Sequence, residues 1–156
     1  MYSPTYPSSF ETFAELSQGK TLILSSDGLI RLNADGSFDP TFGDAGRALI
    51  GGGNCYLVDF AVTDDNKIVV NKNCSRSLQP SGTRFLGQIH RYWSDGTPDI
   101  RFGQGGKTTI KLGDSDIFLG RIETFQSKYL IVTGTQGLPG PSALPVTARF
   151  FGTGNL

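Results

Sequence analysis

Three runs of consecutive apolar residues punctuate the chain: Leu22-Ile23-Leu24, Ile68-Val69-Val70 and Leu130-Ile131-Val132. Each follows a turn and a lysine, at Lys20, Lys67 and Lys128. The runs are short, largely β-branched and bounded by turn residues, so they read as strands rather than helices. A strand with one wet face alternates apolar and polar positions, whereas an unbroken apolar run marks a strand covered on both faces. The flanking segments complete the pattern. Strands are predicted before the runs at 11–16, 56–62 and 121–125, and after them at 28–33, 84–93 and 146–151. Two more follow a glycine-rich stretch, at 47–51 and 107–112. Turn residues separate them: Gln18-Gly19, Ser26-Asp27-Gly28 and Asp64-Asp65-Asn66. No helical period competes.

The glycine-rich stretch is repeated. Residues 31–47 (RLNADGSFDPTFGDAGR) align without a gap on residues 91–107 (RYWSDGTPDIRFGQGGK) at an offset of 60. Arg31, Asp35, Gly36, Asp39, Phe42, Gly43 and Gly46 recur as Arg91, Asp95, Gly96, Asp99, Phe102, Gly103 and Gly106. A third copy begins at Arg149 and reaches Gly154. Fainter echoes accompany it. Phe13-Ala14 recurs as Phe60-Ala61, and the tripeptide ETF at 11–13 recurs at 123–125. Each unit therefore reads as four strands, opened by the strand after the glycine motif, with units of approximately 11–46, 47–106 and 107–156 behind an N-terminal Pro/Ser-rich arm at 1–10. The motif itself is expected to connect one sheet to the next. Phe42 and Phe102 would plug the gap between sheets, and Arg31 with Asp39, like Arg91 with Asp99, would form an ion pair that fixes the loop.

The pattern R-x-x-x-D-G-x-x-D-x-x-F-G-x-x-G resembles the bacterial delta-60 repeat, which occurs in tandem arrays similar to propeller blades. The likeness is strongest at 31–47 and 91–107, weaker at 56–70 and 121–134, and covers nearly everything after residue 10. It implies an all-β, β-propeller-like array of about three four-stranded antiparallel blades. It implies architecture more than activity, since the family carries no known catalytic constellation. Three blades are too few to close a ring, because propellers have about four to eight. The open faces at either end are expected to be apolar. Two completions follow: a homodimer forming a six-bladed ring, or further repeats of a longer array. The missing strand is expected in the first blade, to be supplied by a partner's C-terminus or by the arm at 1–10.

Composition agrees with many short strands and tight turns, with 21 glycines and eight prolines. Fourteen basic residues balance fourteen acidic ones and no basic stripe is visible, which argues against nucleic acid as a partner. No apolar run approaches the roughly 20 residues of a membrane span. The cytoplasm is the default compartment, or the exterior if the chain is processed and Cys55–Cys74 is oxidised.

The candidate chemistry is sparse. Cys55 and Cys74 sum to 129, as do opposite residues of a hairpin centred on Asp64-Asp65, so they would face each other. A disulfide and a pair of reduced thiols are both open. One histidine and two cysteines do not make a zinc site. Asp35, Asp39 and Asp44 share a loop, but Asp44 becomes Gln104 in the second copy, and turn-capping explains them better than calcium. His90, Tyr92 and Trp93 could form an aromatic platform for a sugar or peptide, against the alternative of packing at a blade edge. Period two puts His90 and Tyr92 on one face and Trp93 on the other. Nucleophilic catalysis lacks its parts, and no cofactor motif appears. The expected function is a non-catalytic propeller-type binding or assembly module. Specificity would lie in the variable loops 72–86 and 134–146, and the ligand would be protein or glycan. A carbohydrate-binding, lectin-like propeller is the alternative.

Overall fold

The computed structural model describes residues 10–77, 82–125, 128–137, 140–151 and 154. Residues 1–9, most of the arm, lie outside that description, as do 78–81 and 138–139 within the two variable segments. The described chain forms eleven strands: β1 (Phe10–Glu15), β2 (Thr21–Ser25), β3 (Gly28–Leu32), β4 (Arg47–Leu49), β5 (Cys55–Val62), β6 (Ile68–Ser77), β7 (Thr83–Tyr92), β8 (Lys107–Ile110), β9 (Ile117–Phe125), β10 (Tyr129–Gln136) and β11 (Leu144–Phe151). They pair antiparallel in chain order into three sheets, β1-β2-β3-β4, β5-β6-β7-β8 and β9-β10-β11. The protein is an all-β, propeller-like array of three stacked sheets.

The sheets stack because their middle strands are apolar on both faces. One core joins the first and second sheets through Leu22, Leu24, Leu29, Phe60, Ile68 and Val70. Another joins the second and third through Val69, Ile89, Ile122, Leu130 and Val132. Val69 and Val70 are adjacent, both fully buried, and belong to different cores. That is what an unbroken apolar run in a covered strand accomplishes. For each sheet, the front face here means the side toward the preceding sheet, and the back face the side toward the next.

Two expectations about strand order are corrected. The strand after the glycine motif does not open a new sheet. Arg47–Leu49 pairs with β3 and Lys107–Ile110 with β7, so each closes the sheet before it. The motif is thus a crossing between the last two strands of one sheet, and the sheets are linked instead through 50–54 and 111–116. Consequently the first sheet holds four strands and the third holds three. The recurrence of ETF is also not structural. Phe13 stands opposite Ile23 and Phe60 opposite Val70, but Phe125 lies opposite Tyr129 beside a turn, and Ile122 opposite Val132 takes the equivalent place.

The variable segments are more regular than their composition indicates. β6 and β7 stay paired out to Ser77 and Thr83, and β10 and β11 out to Gln136 and Leu144. Most of 72–86 and 134–146 is therefore paired strand: β9 flanks β10 as far as Gln136 and β5 flanks β6 as far as Cys74, so the part that projects as a two-stranded ribbon is Ser75–Ser77 with Thr83–Phe85. Pro145 is accommodated because β11 is an edge strand, where a missing N–H costs no ladder bond.

Candidate functional site

The repeated motif is built the same way twice. Asp39 is 1% exposed, and its Oδ2 accepts hydrogen bonds from Arg31 Nε and Lys20 Nζ, both at 2.7 Å. Its Oδ1 accepts from the Thr41 backbone N–H at 3.0 Å and the Thr41 hydroxyl at 2.7 Å. In the second copy Asp99, also 1% exposed, meets Arg91 Nε at 3.0 Å, and Arg101 at 3.6 Å stands in for the lysine. Each arginine lies over the phenylalanine of its own motif, 4.7 Å from the ring centroid at both Phe42 and Phe102. An aspartate, a guanidinium and a ring are thereby stacked in order, and both phenylalanines are fully buried between sheets. The Lys20 bond, the Thr41 bonds and the Arg31 bond together hold the Asp39 carboxyl well below the ordinary range. Burial works against the Asp99 charge, but the Arg101 N–H and the Arg91 guanidinium outweigh it and hold that carboxyl low.

Asp35 and Asp95 do different work. Each accepts from the backbone N–H and the hydroxyl two residues on, at Ser37 and Thr97. These are turn caps, which also lower the carboxyl pKa. Gly36 and Gly96 complete the two turns with φ of 82° and 86°, which a side chain rarely adopts. Gly43 and Gly103 sit at φ 53°, and a Cβ at Gly43 would meet the Arg47 carbonyl at 2.0 Å. Among the described residues, no three side chains of metal-ligating type cluster.

The histidine and the two aromatics do not form one platform. Tyr92 is buried in the core between the first two sheets. Trp93 points to the other face, with Lys67 Nζ 5.1 Å and the Arg101 guanidinium 4.9 Å from its ring. His90 is half-buried on the Tyr92 face, its Nε2 3.0 Å from Gln88 Oε1.

What gathers around His90 and Tyr92 is a polar cluster whose centre the sequence reading passed over. Lys72 alternates with Ile68 and Val70 on the front face of β6, and is only 6% exposed. Its Nζ donates to the Ile50 carbonyl at 2.6 Å and to the Tyr92 hydroxyl at 3.2 Å. Desolvation, then repulsion from Lys107, pushes the Lys72 pKa down to about 8. Desolvation, then Lys72 and Lys107, pushes His90 down to about 4. Desolvation pushes Tyr92 up to about 12. Ile50 and Tyr92 also line a cleft of about 500 Å³ between the first two sheets, together with Arg47 and Pro98. The signal for Lys72 was available: a lysine two positions beyond a buried valine in one strand shares its face.

On the back face of β6, polar side chains tie the second sheet to the third. Asn73 Nδ2 donates to the Leu119 carbonyl at 2.9 Å, and its Oδ1 accepts from the Leu119 N–H at 2.7 Å. Asn71 donates to the Gly120 carbonyl at 2.6 Å, and Asp59 accepts from the Ile122 N–H at 3.1 Å. Cys55 and Cys74 are joined as a disulfide at the outer part of the β5–β6 pair, directly opposite in register.

This architecture defines a propeller-like repeat module. The comparisons agree at that level. A model for a beta-propeller domain of unknown function, DUF5122, matches residues 20–42, the segment from Lys20 through β2, β3 and the first motif to Phe42. No curated protein and no solved structure matches the chain. Among the described residues, no helix is long and apolar enough to cross a membrane.

Proposed function

We propose that this chain is a non-catalytic binding or assembly module, a run of propeller sheets of the delta-60 type whose partner contacts are made by the two long hairpins. One contrast carries the reading. The motif repeats its Arg–Asp pair and its turn cap in both copies, and these consume its charges internally. The β2–β3 connection is a two-residue turn, whereas β6–β7 extends through ten-residue strands into the ribbon. A constant frame with a variable projection is the usual layout of a binding scaffold. The Cys55–Cys74 disulfide lies where that ribbon leaves the sheet, and it fits an oxidising compartment.

Photocrosslinking tests the reading. A photoreactive residue at position 76, exposed on the ribbon, should capture a defined partner from native extract, while one at position 41, exposed on the motif, should not. Equal capture from both positions would defeat it. Binding to sugars on a glycan array, lost when the ribbon is trimmed, would move the assignment to the lectin-like alternative.

A further inference from the structure

Charge is unevenly shared between the two faces of the second sheet. Cross-strand partners lie on one face, so the pairing of Arg76 with Arg84, Lys72 with Gln88, Gln88 with Thr109 and His90 with Lys107 puts these side chains together on the front. Lys111, one residue beyond β8, lines the same depression as Arg76 and Arg84. Lys72, Arg76, Arg84, Lys107 and Lys111 are thereby gathered on one side. The carboxylate that β5–β8 carry, Asp59, turns the other way, to the Ile122 N–H. The chain as a whole has no net charge, so this is a local excess. No basic run marks it in the sequence, because its members come from three strands.

The outer part of this face is open. The first sheet is too short to cover it: β3 has five residues and β4 three, against ten in β6 and ten in β7. Arg76, Lys107 and Lys111 are exposed, and Arg84, Leu86, Gln88 and Thr109 are half-buried. Two depressions adjoin there and share Lys111. One, of about 170 Å³, is lined by Arg76, Arg84, Leu86, Lys111 and Asp114. The other, of about 450 Å³, follows β8 past Lys107, Thr109 and Lys111.

Folding alone does not account for these cations. Arg76 stands directly opposite Arg84, and like charges so placed destabilise a strand pair. Arg84 Nη1 donates to Asp114 Oδ1 at 3.0 Å, but that carboxylate is 99% exposed and offsets little. Asp116 accepts from the Phe85 N–H instead. Among the described residues, Arg76, Lys107 and Lys111 make no ion pair. Lys107 is felt as far as Lys72 and His90, whose pKa values it helps to lower.

β8 also has an open side. It is an edge strand, paired in the sheet with β7 alone. At its start the Gln104 N–H takes the Lys107 carbonyl, and the rest of the edge has no described strand beside it. Such an edge is a template for another extended segment. Rings that could stack on a sugar or a base are missing from the strip among the described residues, since Tyr92 is buried and Trp93 lies on the other face.

We propose that β8 and the cations beside it take an extended acidic segment of a partner protein, added as a strand at the β8 edge with a carboxylate at every second position. This rests on the binding reading above and gives the partner its chemistry. Alternate side chains of an added strand lie on the front face, beside Lys107, Thr109 and Lys111 in turn. One end of the segment enters the depression that Lys111 shares with Arg76 and Arg84, where an anion relieves the like-charge pair.

The test uses the full chain and a short labelled peptide of alternating glutamate and threonine, followed by fluorescence anisotropy. The peptide should bind at low salt and weaken as salt is raised. The same peptide with glutamine for glutamate should not bind. Arg84→Gln, Lys107→Gln and Lys111→Gln together should weaken binding roughly tenfold or more, with the urea midpoint unchanged, and Lys111→Gln alone should give a smaller loss. Two N-methylated peptides, one blocked at the glutamate amides and one at the threonine amides, separate strand addition from charge alone. Only alternate amides of an added strand point at its neighbour, so one form should lose binding and the other keep it. Like behaviour of the two forms, or no binding of the parent peptide, overturns the inference. So does a sulfated polysaccharide or a single-stranded DNA of matched charge that binds as tightly as the peptide, which would make the strip a general polyanion surface. The photoreactive residue at position 76 keeps the two readings apart. Partner capture that persists undiminished in the triple variant overturns this inference and leaves the hairpin reading standing. Peptide binding with no capture at position 76 sinks the hairpin reading alone.

Discussion

Replacing Lys72 with methionine should stabilise the protein. The ammonium is 6% exposed and its bonds go to a carbonyl and a phenol, with no carboxylate among the partners described. A pKa lowered from 10.5 to about 8 means that the fold disfavours the charged form by about 3 kcal/mol relative to the unfolded chain. Methionine keeps an unbranched stem of similar length and removes that cost. It also removes the donor for Ile50 O and Tyr92 Oη, which gives back about 1–2 kcal/mol. The expected net gain is about 1–2 kcal/mol at pH 7, read as a higher urea midpoint with an unchanged slope. The pH dependence gives a second, independent readout. Between pH 8 and 10.5 the unfolded lysine still holds its proton while the folded one has lost it, so the parent gains stability as pH rises through that window and the variant does not. The chain has one histidine, so its imidazole resonance titrates without overlap. It should titrate near 4 in the parent and higher in the variant, but still below 6.5, since desolvation is the larger cause of its shift and Lys72 the second. A variant less stable than the parent at pH 7, or a parent histidine titrating near 6.5, would refute the reasoning.

Other outcomes follow from the same packing. His90 takes up a proton near pH 4 when folded and near 6.5 when unfolded, so stability should fall as pH drops through that window, by at most about 3 kcal/mol; a flat denaturation midpoint from pH 6.5 to 4 would contradict the burial of its ring. Phe42→Ala leaves a hole between two sheets and should cost about 3–5 kcal/mol, whereas Phe13→Ala, on a largely exposed ring, should stay within about 0.5 kcal/mol. Similar losses at both positions would mean that the two rings share one degree of cover. Reducing Cys55–Cys74, which closes a span of 19 residues, should lower stability by about 3 kcal/mol, measurable by urea denaturation with and without dithiothreitol.

The strands, their number and the two-sided burial of the apolar runs were legible in the chain, because side-chain period and turn chemistry act over a few residues. The Arg31–Asp39 and Arg91–Asp99 pairs were legible for a related reason: partners needed twice in the same geometry must recur together. Cys55 and Cys74 fell opposite each other by a less direct route. Opposite residues near the β5–β6 turn sum to 130, and a bulge between Leu57 and Asp59 shifts the register so that the pair sums to 129. A single extra residue of this kind leaves no mark on composition.

What the chain did not disclose are the relations across sheets. Which neighbour Arg47–Leu49 pairs with, why Glu123-Thr124-Phe125 is not the counterpart of 11–13, and that Lys72 is shut in beside His90 all depend on how one sheet lies on another. A local pattern says that a residue faces inward or outward; only the stack says what it meets there. The open ends show this most plainly. Sequence alone predicts apolar faces at both. The tertiary structure leaves Phe13 open on one and places Glu123 and Thr147 on the other, because register and bulges, set over the whole sheet, decide which members of each alternating strand turn outward.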